Sequence, residues 1–240
     1  MTKKLEGKVA LITGASRGIG ATVAESYARE GAHVVLLARG QRNLEKIDDR
    51  IKAFGGSATL VPFDLTEIDQ LEALGPLIDN KFGKLDIFVA NAGILGKLTP
   101  VSHSPIKDWK DAFTTNVLAN VQLIRTLDPL LKNSKAGRAI FVGSGLGIDA
   151  VPYYGSYGMS KAAVIHLART YAAESEQSNL RVNIVRPGAV DTAMLKGAFP
   201  GGYHGADLKQ PEDLVPLFVH LATEECQDNG RIFTPDDIQA

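Results

Sequence analysis

Short apolar runs alternate with longer stretches of helical spacing along the 240-residue chain, and this alternation limits the possible folds more than any other feature. The runs are Lys8–Thr13, His33–Ala38, Ala58–Phe63, Leu85–Ala90, Arg138–Val142, Leu180–Arg186 and Arg231–Phe233. Between them the spacing predicts helices over Ile19–Glu30, Asn43–Phe54, Glu67–Phe82, Ile106–Leu131, Ser156–Ser175 and Pro211–Thr223. A strand that is apolar at nearly every position is buried on both faces, and parallel strands need long crossovers. The expected fold is therefore an α/β doubly wound parallel sheet with helices on both faces. No break in composition, repeat or low-complexity tract divides the chain, so one domain over residues 1–240 is expected.

Charge removes several partner classes from that expectation. Lys and Arg number 26, Asp and Glu 27, for a formal net charge of −1. A nucleic-acid surface needs a basic excess, and none is present. No run of about 18 apolar residues offers a membrane span. Cys226 is the only cysteine, so no internal disulfide can form, and a reducing cytoplasmic setting is expected.

The first strand runs into Thr13-Gly14-Ala15-Ser16-Arg17-Gly18-Ile19-Gly20, where a helix begins. Gly14 permits a tight turn, Gly18 lets backbone approach a pyrophosphate, and Gly20 lets the helix pack closely on the sheet. The helix start offers free N–H groups and a positive dipole end to an anion. The spacing is G-x3-G-x-G rather than G-x-G-x-x-G, and the G-x4-G-K-[ST] pattern of nucleoside-triphosphate hydrolases is absent. An NAD-binding chain usually ends its second strand on an acidic residue that holds the ribose 2′-hydroxyl. Here that slot is Ala38, followed by Arg39, with Arg17 in the turn. Two bases and no acid favour a 2′-phosphate, so NADP(H) is expected in preference to NAD(H).

The remaining motifs follow in order. They are Phe63-Asp64-Leu65, Ala90-Asn91-Ala92-Gly93, Asn116, Ser144, Tyr157-Gly158-Met159-Ser160-Lys161 and Arg186-Pro187-Gly188. Tyr157 and Lys161 stand four apart on a predicted helix and share a face. Ser144 follows the fifth strand, at the carboxyl edge where such sheets bind ligands. Bringing a phenol from its ordinary pKa of about 10 to neutral pH takes roughly 4 kcal/mol, which nearby cations can supply. This reading expects the Lys161 ammonium, together with the positive nicotinamide ring of an oxidised cofactor, to favour the phenolate of Tyr157.

The order and spacing of these motifs resemble the short-chain dehydrogenase/reductase family, in its short single-domain form, over nearly the whole chain. The resemblance implies a Rossmann-type sheet of about seven strands in the order 3-2-1-4-5-6-7. It implies a carbonyl–alcohol oxidoreductase with Asn116, Ser144, Tyr157 and Lys161 as the catalytic set. In that set Tyr157 would exchange a proton, and Lys161 would hold the nicotinamide ribose and lower the pKa of Tyr157. Ser144 would bind the substrate oxygen, and Asn116 would hold a water. The cofactor would touch Gly14, Ser16, Arg17, Gly18, Ile19, Gly20 and Arg39, then Asp64 and Leu65 at the adenine. Asn91, Ala92 and Gly93 would line its middle, and Tyr157, Lys161, Pro187, Gly188, Val190 and Thr192 its nicotinamide end. Thr192 would hold the carboxamide. The family's helices matching Ile106–Leu131 and Ser156–Ser175 pair in homodimers or homotetramers; Val121, Ile124, Val164 and Leu167 are candidates for that interface, and facing the chain's own core is the equal alternative for each.

Other chemistries fit less well. A serine-hydrolase elbow needs glycine two residues before Ser144, and Val142 is there. No histidines are spaced as metal ligands, so no metal is expected. A non-catalytic NADP(H)-binding sensor or scaffold is the alternative, although it would be expected to lack one of Ser144, Tyr157 and Lys161. The wall Val151-Pro152-Tyr153-Tyr154 suits an uncharged or partly apolar small carbonyl or alcohol. Four glycines and a proline in residues 194–206 argue against a long helical lid. The family's glycine-rich ending is replaced by Arg231–Asp237, and paired serines by Ser144-Gly145. A 3-oxoacyl-thioester on an acidic carrier would need a basic surface, for which Lys132, Lys135 and Arg138 are candidates.

Overall fold

A computed structural model describes residues 3–238, so both ends of the expected 1–240 unit lie outside the described residues. Seven parallel strands form one sheet in the order β3-β2-β1-β4-β5-β6-β7, as the resemblance implies. They are β1 Val9–Thr13, β2 His33–Ala38, β3 Ser57–Pro62, β4 Ile87–Ala90, β5 Arg138–Val142, β6 Arg181–Val185 and β7 Ile232–Phe233. The helices are α1 Gly18–Arg29, α2 Gln41–Ala53, α3 Leu74–Phe82, α4 Ile106–Phe113, α5 Ala119–Asn133, α6 Gly155–Glu174, α7 Ala193–Ala198 and α8 Val215–Ala222.

Strand alternation divides the core in two. Ala10, Ile12, Val34, Leu36, Ile87 and Val89 pack on the face covered by α1, α2 and α8. Val9, Leu11, Val35, Leu37, Phe88 and Phe141 pack on the face covered by α3, α5 and α6. Because successive side chains point to opposite faces, both layers need apolar residues, which explains the continuous runs. Tyr27 on α1 ties one layer together by donating its buried hydroxyl to Phe218 O on α8 at 2.8 Å.

Four elements depart from the expected pattern, among them the stretch 211–223, which begins as a 3₁₀ segment over Pro211–Leu214 before α8. The stretch 67–82 begins as a 3₁₀ segment over Ile68–Ala73 before α3. The expected single helix 106–131 is divided by a π-helical segment, Thr114–Leu118, between α4 and α5. Residues 193–198 form the short α7 within what reads as a glycine-rich loop. The basic trio also separates. Arg138 is buried and donates to Thr223 O and Gly137 O, and Lys132 pairs with Asp128 at 3.0 Å, so the three do not make a docking patch. Cys226 is buried, although its neighbours Glu224, Glu225, Gln227 and Asp228 are exposed.

Asp86 pins the amino edge of the sheet, opposite the candidate site. Its carboxylate accepts from Val9 N at 2.9 Å and Ser134 Oγ at 2.6 Å, and Lys84 lies at 3.0 Å. Burial pushes this carboxyl up, but those donors together hold it below the usual value of 3.8. A depressed folded pKa stabilises the fold above the ordinary value and loses that stabilisation as pH falls through the folded one. Asp86→Asn should therefore lose about 2–4 kcal/mol at neutral pH, with a smaller loss in acid. Urea unfolding of both proteins from neutral pH to below 3.8 checks this; a pH-independent difference would count against it.

Candidate active site

The carboxyl ends of β1 and β4 meet where the order of strands reverses, the usual place for a ligand crevice in such sheets. Thr13 and Asn91 build that junction. Thr13 Oγ1 accepts from Asn91 N and Ala92 N, both at 3.0 Å. Asn91 Nδ2 donates to Thr13 O at 2.9 Å and Gly14 O at 3.4 Å. The expected cofactor-lining amide of Asn91 is thus engaged in shaping the turn.

Glycine is required in this turn by space. A Cβ on Gly20 would lie 2.4 Å from Gly14 O, and one on Gly14, at φ 66°, would lie 2.9 Å from Asn91 Nδ2. Gly18, at φ 53°, faces Thr192 Cγ2 at 3.2 Å from an added Cβ, so the turn and the 187–192 segment adjoin. No side chain caps the start of α1, and its first turn holds no acid. Its N–H groups are therefore suited to a phosphate. Arg17 and Arg39 are exposed, and neither has an ion-pair partner among the described residues. Arg39 is near enough to Asp64 to help hold that carboxyl down, after the larger effect of Thr66. A turn that an added Cβ would fill, an uncapped helix start and two available guanidinium groups fit a phosphorylated dinucleotide.

Several other expected contacts are partly committed to the fold. Asp64 Oδ1 accepts from Thr66 N and Oγ1, closing a turn. Leu65 and Val190 are buried in the two core layers, and Ile19 and Ala92 pack against them. Ser16 is half-buried, Pro187 is buried, and Gly188 is exposed at φ 77°. Thr192 Oγ1 accepts from Leu195 N and donates to Val190 O, which caps α7.

The candidate catalytic groups lie at the same edge. Tyr157 and Lys161 on α6 are 8% and 4% exposed. Lys161 Nζ donates to Val142 O at 2.7 Å and lies 5.9 Å from the Tyr157 ring centre. It also lies 3.6 Å from where a Cβ on Gly93 would stand, so glycine leaves room for the ammonium. Burial lowers Lys161 to about 8. Burial also raises Tyr157, with Tyr154 adding to the rise and the Ser144 hydroxyl opposing it. With the ammonium donating to Val142 O, burial of Tyr157 works against the expected phenolate.

Ser144 Oγ accepts from Leu146 N at 3.2 Å, which leaves its O–H free to donate. Asn116, in the π-helical segment, is fully occupied through its side chain. Oδ1 accepts from Ile94 N, and Nδ2 donates to Ile94 O and Ser160 Oγ. Its main-chain carbonyl accepts from Asn120 Nδ2 at 2.7 Å. The roles of Thr13 and Asn120 escape a reading of motifs, as does the backbone of Tyr153. Tyr153 is 57% exposed at φ 74°, the one non-glycine among the described residues in the left-handed region. Such a conformation costs on the order of 1–3 kcal/mol and tends to mark functional loops. Among the described residues no group of three or more His, Cys, Asp or Glu is placed to hold a metal, and no helix is long and apolar enough to cross a membrane.

Comparison with known proteins adds independent findings. The family model described as short chain dehydrogenase matches residues 8–201. The Escherichia coli K12 oxidoreductase YciK is 35% identical over 224 residues, covering 92% of this chain and 88% of its own. The 3-oxoacyl-[acyl-carrier-protein] reductase FabG of Thermotoga maritima is 30% identical over 233 residues, covering 92% and 93%. A short chain dehydrogenase from Escherichia coli CFT073, crystallised with NADPH, superposes with a TM-score of 0.91 at 33% identity, covering 98% and 99%.

A lysine depressed in the fold binds fewer protons than in the unfolded chain, so stability rises with pH between the two values. Relative to Lys161→Met, the wild type should gain up to about 3 kcal/mol between pH 8 and pH 10.5. Denaturant unfolding across that window checks it; parallel curves would contradict the burial of a titrating ammonium.

Proposed function

The chain belongs to the short chain dehydrogenase family, and from that premise we propose that it interconverts a small carbonyl compound and its alcohol, preferring NADP(H) to NAD(H), as one catalytic domain over residues 1–240. It is an oxidoreductase by family. The carrying observation is the cluster of Ser144, a protonated Tyr157 and the buried Lys161 beside Gly93 and the glycine turn. When bound, the nicotinamide cofactor supplies or accepts a hydride at the substrate's carbon.

The protein's own part is positioning and proton transfer. Tyr157 holds a proton on its hydroxyl at neutral pH, as a general acid for carbonyl reduction requires. Ser144, its oxygen already accepting from Leu146 N, points its remaining O–H donor at the substrate oxygen. Lys161 spends one of three donors on Val142 O and has two left for the ribose hydroxyls. Its charge also favours the phenolate formed after proton loss. The Asn116 amide is committed to Ile94 and Ser160, so the water assigned to this residue would sit at its main-chain carbonyl, shared with Asn120.

Arg17 and Arg39 support the preference for a 2′-phosphate, and the NADPH-bound neighbour is in keeping with it. The similarity to a 3-oxoacyl-thioester reductase makes that substrate one candidate within the carbonyl class. The single cysteine fits a cytoplasmic setting. A non-catalytic role has no observation in its favour.

Tyr157→Phe should lose turnover by at least about a hundredfold while NADPH affinity stays within about twofold. Arg39→Ala should bring NADPH affinity toward that of NADH. Absorbance at the NADPH band across a ketone, aldehyde and acyl-thioester panel, with fluorescence titration of both cofactors, tests the two together. A fully active Tyr157→Phe protein would remove the tyrosine from the mechanism.

Assembly as a homodimer or homotetramer rests on α5 and α6. Val164 is buried and Ile124 packs on the chain's own core, the inward alternative for these two residues. Val121 is exposed as expected, and Leu118 and Met159 join it as exposed apolar side chains. Light scattering should give a dimer or tetramer that Met159→Glu weakens; a wild-type monomer at micromolar concentration would refute it.

A further inference from the structure

Arg186 is the feature of the site that the reading above leaves without a task. It follows β6, and its N–H donates to Phe233 O at 2.7 Å. Ile184 packs on the α6 side of the sheet and Val185 on the other. Strand alternation therefore directs the Arg186 side chain to the α6 side, which carries Tyr157 and Lys161. Its stem reaches the residue after Ser144, since a Cβ on Gly145 would lie 3.9 Å from Arg186 Cδ.

The side chain is half-buried, yet among the described residues its guanidinium has no ion pair or hydrogen-bond acceptor. Carboxylates on the segments that follow β6 and β7 are engaged elsewhere. Asp191 pairs with Lys196 at 2.8 Å, Asp236 with Lys209 at 3.6 Å, and Asp237 with Arg231 at 2.8 Å. An arginine with no protein acceptor keeps its planar set of N–H donors available to a ligand. Ile148, Val151 and Tyr153 are exposed apolar or aromatic side chains on the loop that continues from Ser144.

We propose that Arg186 is a specificity-determining residue that selects carbonyl substrates bearing a carboxylate on an apolar body. The planar guanidinium matches a carboxylate in two parallel hydrogen bonds. This rests on the oxidoreductase reading and sharpens it, because the wall at 151–154 by itself suits an uncharged compound. Fixing the acid beside Ser144 orients the carbonyl oxygen toward the Ser144 and Tyr157 hydroxyls.

Matched probes test the inference. Benzoylformate and 4-formylbenzoate are each compared with their methyl esters, on the wild type, Arg186→Met and Arg186→Lys, all with NADPH. Binding is read by the change in fluorescence of bound NADPH, which needs no turnover, and KM by absorbance. The wild type should bind at least one acid about tenfold or more tighter than its ester. Arg186→Met should erase that preference while ester and NADPH affinities hold, and Arg186→Lys should restore part of it. Equal binding of both acids and their esters by the wild type, or no binding of any probe, would overturn the proposal. So would a loss in Arg186→Met shared by acid and ester, or a weakened grip on NADPH. A wild-type protein that fails to bind NADPH would instead refute the underlying oxidoreductase reading.

Discussion

The hydrogen bonds between Thr13 and Asn91 hold together the ends of the two central strands, and the crevice takes its shape from them. A parallel sheet wound in two directions must leave a gap where the winding reverses, and polar backbone is exposed there. Here one threonine hydroxyl receives two N–H groups from the 91–92 turn, and one asparagine amide covers two carbonyls of the 13–14 turn. With both turns tied, Gly14 and Gly20 can approach within limits that no side chain would permit. The start of α1 is thereby aimed at the crevice with its N–H groups free.

Within that frame, the site is a contest between desolvation and charge. Burial works against the phenolate of Tyr157 and against the ammonium of Lys161. The fold gives the ammonium one carbonyl, Val142 O, and gives the phenol a neighbouring serine hydroxyl. A cation with a single acceptor retains donors for other oxygens, and a protonated phenol next to a hydroxyl makes a proton donor. Both properties follow from packing α6 against the ends of β5 and the 93–94 turn rather than from any unusual residue.

Much of this was legible before the fold was known. Continuous apolar runs such as His33–Ala38 specify a doubly covered sheet because local sequence records burial directly. The glycines of the turn could be read for the same reason, since each answers a local steric need. What stayed hidden depends on distant partners. Nothing near Lys161 reveals that Val142 O will take its proton donor, so desolvation of Tyr157 could not be weighed against the lysine's charge. Arg138 looks like a surface base beside Lys135 until Thr223, far along the chain, is seen to receive it. The helix 106–131 has an apolar stripe that counts well enough as one helix, and the π-helical segment within it leaves no composition signal.

That segment has a consequence for how the chain can change. A π turn inserts one residue, and one residue advances a helix by about 100°. The insertion acts as a phase shifter. Upstream of it α4 is set against α6, and downstream Ala119, Leu123 and Leu127 point squarely into the sheet. Between them Asn116 is turned inward to Ile94 and Ser160. A deletion of one residue would restore an even pitch and force one of these faces to rotate away. At this point the number of residues is therefore constrained as well as their identity.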